Sequence, residues 1–239
     1  MTWFDLHVHS ALSACAEMVM SPRQIMLRAA SAGLTVVTLA DHNASAHVEV
    51  ARRLGDECGV MVIPGMEVAS REEVHVLVYF TDMGALAAFQ ELVDRSLPDE
   101  RNSPEVFGYQ LLYDERDDIV GCDERLRQVG TGLGLDEIVT TVHSYGGAVV
   151  PAHIHRRRYS LLSQLGFVDP AADFDAVELA RPEWVAGGYR LGQLVDGFPA
   201  LAGSDSHFLE DIGRFHTEVH GSVRDIHGLL SEVRQLSGA

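Results

Sequence analysis

The chain has 239 residues, 46% of them hydrophobic, with 35 acidic against 18 basic residues and a net charge of −17. Such a composition buries a sizeable core and reads as globular, while no apolar run of about 18 residues exists to span a membrane. So acidic a surface argues against binding along a nucleic-acid backbone and leaves small phosphorylated substrates. The start, Met-Thr-Trp-Phe-Asp, lacks the basic and apolar regions of a signal peptide. Cys15, Cys58 and Cys122 make no disulfide framework, and the expected location is the cytoplasm.

In chain order, Trp3 to Val8 alternates as a strand, with Phe4, Leu6 and Val8 predicted on one face. His7 and His9 then share a face, about 7 Å apart at the backbone. Ser21-Pro22-Arg23-Gln24 is a helix start with Ser as cap and Pro at the first position, and Gly33 closes that helix. The run 35–40 reads as a strand buried on both faces and ends in Asp41-His42-Asn43. The pattern repeats with a helix over 44–54, a strand over 60–64 and then Gly65-Met66-Glu67. A strand over 74–80 and a helix over 83–92 follow.

Residues 95–134 are polar and aperiodic and read as an insertion or lid within a single domain spanning 1–239. Order resumes with a helix over 135–145, a strand over 148–152 ending in His153, and a short helix over 160–165. A strand over 176–180, a helix near 184–195 and a run 200–203 ending in Ser204-Asp205-Ser206-His207 come next. Ser222 caps a last helix carrying Ile226, Leu229, Leu230 and Val233 on one face. Apolar strands alternating with helices imply parallel strands joined by crossovers, with functional groups at the C-terminal strand ends.

His9, Asp41-His42, Glu67, His153 and Asp205-His207 each follow such a run directly, and only His75 lies within one. Neutral imidazole with carboxylate is the ligand pair for Zn, Mn or Fe. His7, His9, His42, Glu67, His75, His153, Asp205 and His207 are too many for one catalytic ion and suit two or three. Ions about 4 Å apart hold a bridging hydroxide as nucleophile and clamp phosphoryl oxygens.

Asp5-Leu6-His7-Val8-His9-Ser10, Ala40-Asp41-His42-Asn43, Gly65-Met66-Glu67-Val68, Pro151-Ala152-His153 and Gly203-Ser204-Asp205-Ser206-His207 resemble the successive motifs of the PHP (polymerase and histidinol phosphatase) superfamily. The resemblance implies a distorted (β/α)7 barrel, a trinuclear metal centre at the C-terminal ends of its strands, and phosphoester hydrolysis. Carried over by motif, His7, His9, Glu67 and Asp205 hold one ion. Glu67 bridges to a second with His75 and His153, and His42 and His207 serve a third. Relatives complete the third site with an Asp or His shortly after the first motif, where this chain has Ser13-Ala14-Cys15-Ala16-Glu17. Cys15 as thiolate or Glu17 is then the replacement, unless the third ion is weakly held or absent.

The expected substrate is a small phosphomonoester, nucleotide-like or histidinol-phosphate-like. Asp205 or His207 is the proton carrier, and Arg156 is first choice to grip phosphate, with Arg181 and Arg214 behind it. Asp41 either orients a histidine or caps a helix, and His47, His143, His155, His216, His220 and His227 have no functional context. Two alternatives stand beside this. One is an amidohydrolase-like enzyme acting on C–N bonds, against which the absence of lysine counts, because such barrels usually bridge their metals with one. The other is a non-catalytic metal-binding module. Oligomeric state is not legible.

Overall fold

Four short sheets carry the chain, and a computed structural model describes residues 1–180, 194–221 and 223–236. The first half comprises β1 (Thr2–Val8), α1 (Pro22–Ser31), β2 (Val36–Leu39), α2 (Val48–Cys58), β3 (Met61–Val62), β4 (Gly65–Ala69), β5 (His75–Tyr79) and α3 (Met83–Ser96). Then come α4 (Pro104–Phe107), β6 (Leu111–Tyr113), β7 (Ile119–Cys122), α5 (Leu135–Ser144), β8 (Ala148–Pro151), α6 (Leu161–Leu165) and β9 (Val177–Leu179). The last elements are β10 (Leu194–Val195), β11 (Phe198–Ala202), β12 (Thr217–Val219) and α7 (Ile226–Leu236).

The sheets run β12-β1-β2-β3, β4-β5-β8, β10-β11-β9 and β6-β7. Isolated parallel bridges join the first to its neighbours: His42 to Glu67, and Val8 to Ser206. The expectation of uniformly parallel strands fails at β5, which pairs antiparallel with both β4 and β8. The five residues 70–74 are too few for a crossover helix, so β4 and β5 close as a hairpin. That reversal explains why His75 breaks the sequence rule. It begins its strand, opposite Ala69, and so lies at the same rim as the C-terminal ends of β4 and β8.

Two apolar clusters lie on either side of the strands. Leu77 and Tyr79 of β5 and Val150 of β8 join Phe4, Leu6 and Leu201, and the buried face of α7 (Ile226, Leu229, Leu230, Val233) packs with them. Their neighbours Val76, Val78 and Val149 face the other way, with the residues of α1, α2, α3 and α5. Each fully buried Leu, Ile or Val contributes roughly 1.5–3 kcal/mol relative to exposure. Val8 does not share a face with Phe4 and Leu6 as predicted, because the β1–β2 register shifts between Asp5 and Val8.

Local signals hold at α1: Ser21 Oγ accepts from Gln24 N at 3.2 Å, and Gly33 leaves the helix at φ 79°. Gln24 does not complete the capping box, since its amide donates instead to Asp117 Oδ2 at 2.9 Å. Ser21 also bonds Asp117, so the turn of the β6–β7 hairpin is tied to the start of α1. The helix predicted near 184–195 and the cap at Ser222 fall on residues outside those described. Leu194 and Val195, however, form β10, antiparallel to β11. Among the described residues no helix is long and apolar enough to cross a membrane.

Candidate metal centre

Five of the predicted imidazoles converge on one buried carboxylate. Glu67 Oε1 lies 2.9 Å from His75 Nδ1, 3.2 Å from His153 Nε2 and 3.5 Å from His7 Nε2. Its Oε2 lies 2.8 Å from His42 Nδ1 and 3.5 Å from His9 Nε2. Asp205 Oδ1 closes the group from the loop after β11, 3.2 Å from His9 Nε2 and 3.5 Å from His7 Nε2. The His207 ring lies tilted at 32° to that of His9, centroids 4.4 Å apart. All eight sequence candidates therefore meet at one rim. His42 reaches Glu67 as well as the His9–His207 group, rather than standing apart with His207.

The outer contacts fix which ring nitrogen faces inward. His7 Nδ1 lies 2.9 and 3.1 Å from the two oxygens of Glu178, which accept only, so Nδ1 carries the hydrogen and Nε2 presents a lone pair. His9 Nδ1 lies 3.1 Å from Ser13 Oγ, whose own hydrogen goes to Asp41 Oδ1 at 2.7 Å, so His9 Nε2 is also bare. These two inward nitrogens are 3.1 Å apart. Two lone pairs that close attract only through a shared cation, and Glu67 Oε2, fully buried, accepts no hydrogen bond. The residues present fit divalent ions, and three groups of side chains within them could each hold one.

Protons substitute for positive charge where no cation is bound. Burial disfavours charge on His7, but Glu178, Glu67 and Asp205 outweigh it and hold His7 well above its ordinary pKa. His42 is raised in the same way, against burial, by Glu67 and Cys15. His9 is driven well below, first by burial and then by His207 and His42. Burial pushes the Glu67 and Asp205 carboxyls upward, yet the surrounding imidazoles leave both well below the usual range.

Backbone strain collects here. Asn43, His153, Tyr159 and Asp205 all have positive φ, 50°, 31°, 59° and 50° respectively, a conformation retained mainly where surroundings over-determine it.

Sequence reasoning missed several residues. Glu178 holds His7 and also accepts the His153 backbone N–H at 2.9 Å. Its signal was available, as an acid in the middle of an otherwise apolar strand. Of the two readings offered for Asp41, the orienting one holds and the helix cap does not: it accepts from Ser10 N, Ser10 Oγ and Ser13 Oγ, and so positions His9 through Ser13. His47 joins that network, its Nδ1 2.7 Å from Ser10 Oγ and its Nε2 accepting Tyr113 N–H at 2.8 Å. Asn43 donates to the Arg127 and Val129 carbonyls and accepts from Ala69 N, which pins the end of the 95–134 segment beside the site.

That segment forms a wall of a cavity of about 460 Å³, lined by Cys15, His42, Arg127, Arg158, Tyr159 and His207 among others. Arg156 reaches Asp205 Oδ2 at 2.6 Å from the cavity's edge. Arg127 is bound to Asp94 and Asp123. Tyr159 stacks on His75, centroids 4.8 Å apart and rings within 12°, and its carbonyl accepts His75 N–H. Arg214 lies in a neighbouring cleft with Phe208, paired to Asp211 and mostly exposed, and Arg181 falls outside the described residues. His143 pairs with Asp173 and Asp175, away from the centre.

Fold and site together define an α/β protein with a histidine–carboxylate cluster fit for divalent metal at its strand ends. A family model described as PHP-associated matches residues 196–237. A phosphoribosyl 1,2-cyclic phosphate 1,2-diphosphodiesterase of Eggerthella lenta is 33% identical over 88 residues, 35% of this chain and 32% of that protein. Among solved structures, endonuclease Q of Pyrococcus furiosus, a lesion-specific endonuclease, aligns at TM-score 0.65 and 18% identity over 99% of this chain and 56% of its own. A putative metal-dependent phosphoesterase of Bifidobacterium adolescentis aligns at TM-score 0.58 and 19% identity, over 96% and 95%. The PHP resemblance carried by the five motifs is thereby borne out as a resemblance, by the family model over residues 196–237 and by the named relatives. It spans about a third of its curated relative (32%) and just over half of endonuclease Q (56%).

One expectation is overturned. The acidic net charge argues against long nucleic acid and for small substrates alone. Yet endonuclease Q, aligned at TM-score 0.61 and 19% identity over 99% of this chain and 57% of its own, is solved with a 27-mer duplex bearing an abasic lesion at its active site. Net charge sums over the whole surface, whereas a phosphate meets only the cleft. Here Arg127, Arg156 and Arg158 line it beside a cation-seeking centre.

Proposed function

We propose that the protein is a metal-dependent phosphoesterase acting on phosphodiester bonds of nucleotide or nucleic-acid substrates. The observation that carries this is the convergence of five imidazoles within 3.5 Å of the Glu67 carboxylate, beside an arginine-lined cavity. His7, His9, Glu67 and Asp205 would hold one divalent ion, and Glu67, His75 and His153 a second, with His42 and His207 adjoining. Bound ions, Mn, Zn or Fe by donor type, supply Lewis-acid stabilisation of phosphoryl oxygens and an activated water.

The chain's own residues do the rest. Glu178 and Ser13 keep the lone pairs of His7 and His9 turned inward. Asp205 remains ionised beside His7 and His9, which favours ligation over proton carriage. Arg156, 37% exposed at its side chain, sits where it can leave Asp205 for a phosphoryl oxygen and offer a planar pair of donors. Residues 127–130 form the wall against which the group beyond the phosphate rests. The order β1, β2, β4, β5, β8, β9, β11, linked by two bridges, supports a distorted (β/α)7 barrel as the frame.

The relatives favour a diester over the small phosphomonoester read from sequence. The test is hydrolysis of bis(p-nitrophenyl) phosphate, p-nitrophenyl phosphate and short DNA and RNA oligonucleotides, after stripping and reloading with Mn, Zn or Fe. Metal-dependent diester cleavage is expected. Inactivity on every phosphoester with every metal, alongside cleavage of an amide, would overturn the proposal.

A further inference from the structure

We propose that Cys15 is a thiolate metal ligand and that, with His42 and His207, it forms a sulfur-containing third site within this centre. Cys15 Sγ lies 3.1 Å from His207 Nε2 and lines the same cavity wall as His42. His207 Nδ1 lies 2.8 Å from the Asp205 carbonyl, which only accepts, so Nδ1 is the protonated nitrogen and the lone pair of Nε2 is aimed at the sulfur. His42 turns its Nδ1 to Glu67. A thiol brings one hydrogen to two imidazoles. A divalent cation among the sulfur and the two rings replaces that proton and binds all three.

The geometry is built rather than incidental. Glu17 N donates to the His207 carbonyl at 3.0 Å, so the Cys15 loop is stitched to the loop carrying His207. The same loop is braced by Ser13 N to Ser10 O and Ala16 N to Ser13 O, both at 2.9 Å. Gly108, at φ 101°, passes so close that an added Cβ would lie 2.3 Å from the Ala14 carbonyl oxygen. Cys15 and Glu17 are both exposed, but the sulfur of Cys15 reaches the His207 ring, whereas the contact that ties Glu17 to His207 is its backbone. The independent sign of a cation is Glu67 Oε2, fully buried and aimed into the same cluster, 2.8 Å from His42 Nδ1 and 3.5 Å from His9 Nε2 yet without a well-aligned hydrogen bond.

One sulfur and two nitrogens select Zn or Fe(II) over Mg or Mn, and Cys15, His42 and His207 all line the cavity. The inference rests on the metal-dependent reading above, and its test does not use activity.

The stripped protein is loaded with Co(II), and bound cobalt and the thiolate-to-cobalt charge-transfer absorption are both recorded. The parent is expected to show the band. Cys15→Ser should lose it together with one ion per chain, and Cys58→Ser and Cys122→Ser should keep both. Cys15→Asp should retain the ion without the band, which shows that the fold survives substitution there. Cobalt bound with no band in the parent, or a band persisting in Cys15→Ser, overturns the assignment of Cys15 while leaving the histidine–carboxylate centre intact. A parent that binds no cobalt at all overturns both.

Discussion

The Glu178 carboxylate lies 2.9 Å from His7 Nδ1 and accepts the backbone N–H of His153 at the same distance. One buried acid on β9 therefore sets the tautomer of His7 on β1 and the backbone position of His153 after β8. Outer contacts of this kind typically account for about 10–100-fold in metal affinity. Glu178→Gln, of equal size, should weaken metal binding by about that factor in competition with a chromophoric chelator. Unchanged affinity would mean that His7 needs no outer partner.

Gly203, between β11 and Asp205, tests the same contact from the other side. A Cβ there would lie 2.0 Å from Glu178 Oε1 and 2.9 Å from His7 Cβ. Gly203→Ala should therefore displace Glu178 and cost about 1–3 kcal/mol in urea unfolding, as overpacking does. It should also lower the number of tightly bound ions, and a variant of parental stability and metal content would contradict the packing described.

Removing metal should destabilise the fold. Ions that bind only the native state, at about 100 times Kd, contribute about 2.7 kcal/mol. Chelator should lower Tm in the parent, and much less in Glu67→Gln, which lacks the charge on which five imidazoles converge. Equal shifts in the two proteins would place the stabilising ions elsewhere.

His47 offers a pH signature away from the ligands. Burial lowers its pKa below 6.5, with Asp41 offsetting only part of that. Folded protein then binds fewer protons than unfolded, so stability is complete above about pH 6.5 and falls as pH drops toward the folded value. His47→Gln should show a smaller loss of stability between pH 7 and pH 5 than the parent, both stripped of metal. An equal or larger loss would show that His47 is not held neutral between Ser10 and Tyr113.

Arg156→Ala should raise KM for a diester by roughly 10–100-fold, the worth of a charge-assisted contact of about 1.5–3 kcal/mol. Metal content should hold, because Asp205 keeps its neighbours His7 and His9. A fall in kcat with KM unchanged would instead assign Arg156 to the transition state alone.

The sequence determined the candidate ligands and most of the elements. His7, Glu67, His153 and Asp205 stand beside apolar runs, and the helix start at Ser21-Pro22 and the stop at Gly33 rest on local backbone chemistry that needs no partner. Four matters were left to the tertiary structure. The reversal of β5 brings His75 to the rim, and Glu178 is matched to His7 across 171 residues. Cys15 is brought against His207, 192 residues away, and the 95–134 segment is pinned by Asn43 as a wall of the cleft. The physical reason is range. Periodicity and capping act within a few residues and are written locally. Strand direction, outer-contact hydrogen bonds and the charge seen by a bound phosphate instead depend on which distant segments pack together. Net charge misled for the same reason, since it counts every acid alike and the cleft presents only the few groups the fold turns toward it.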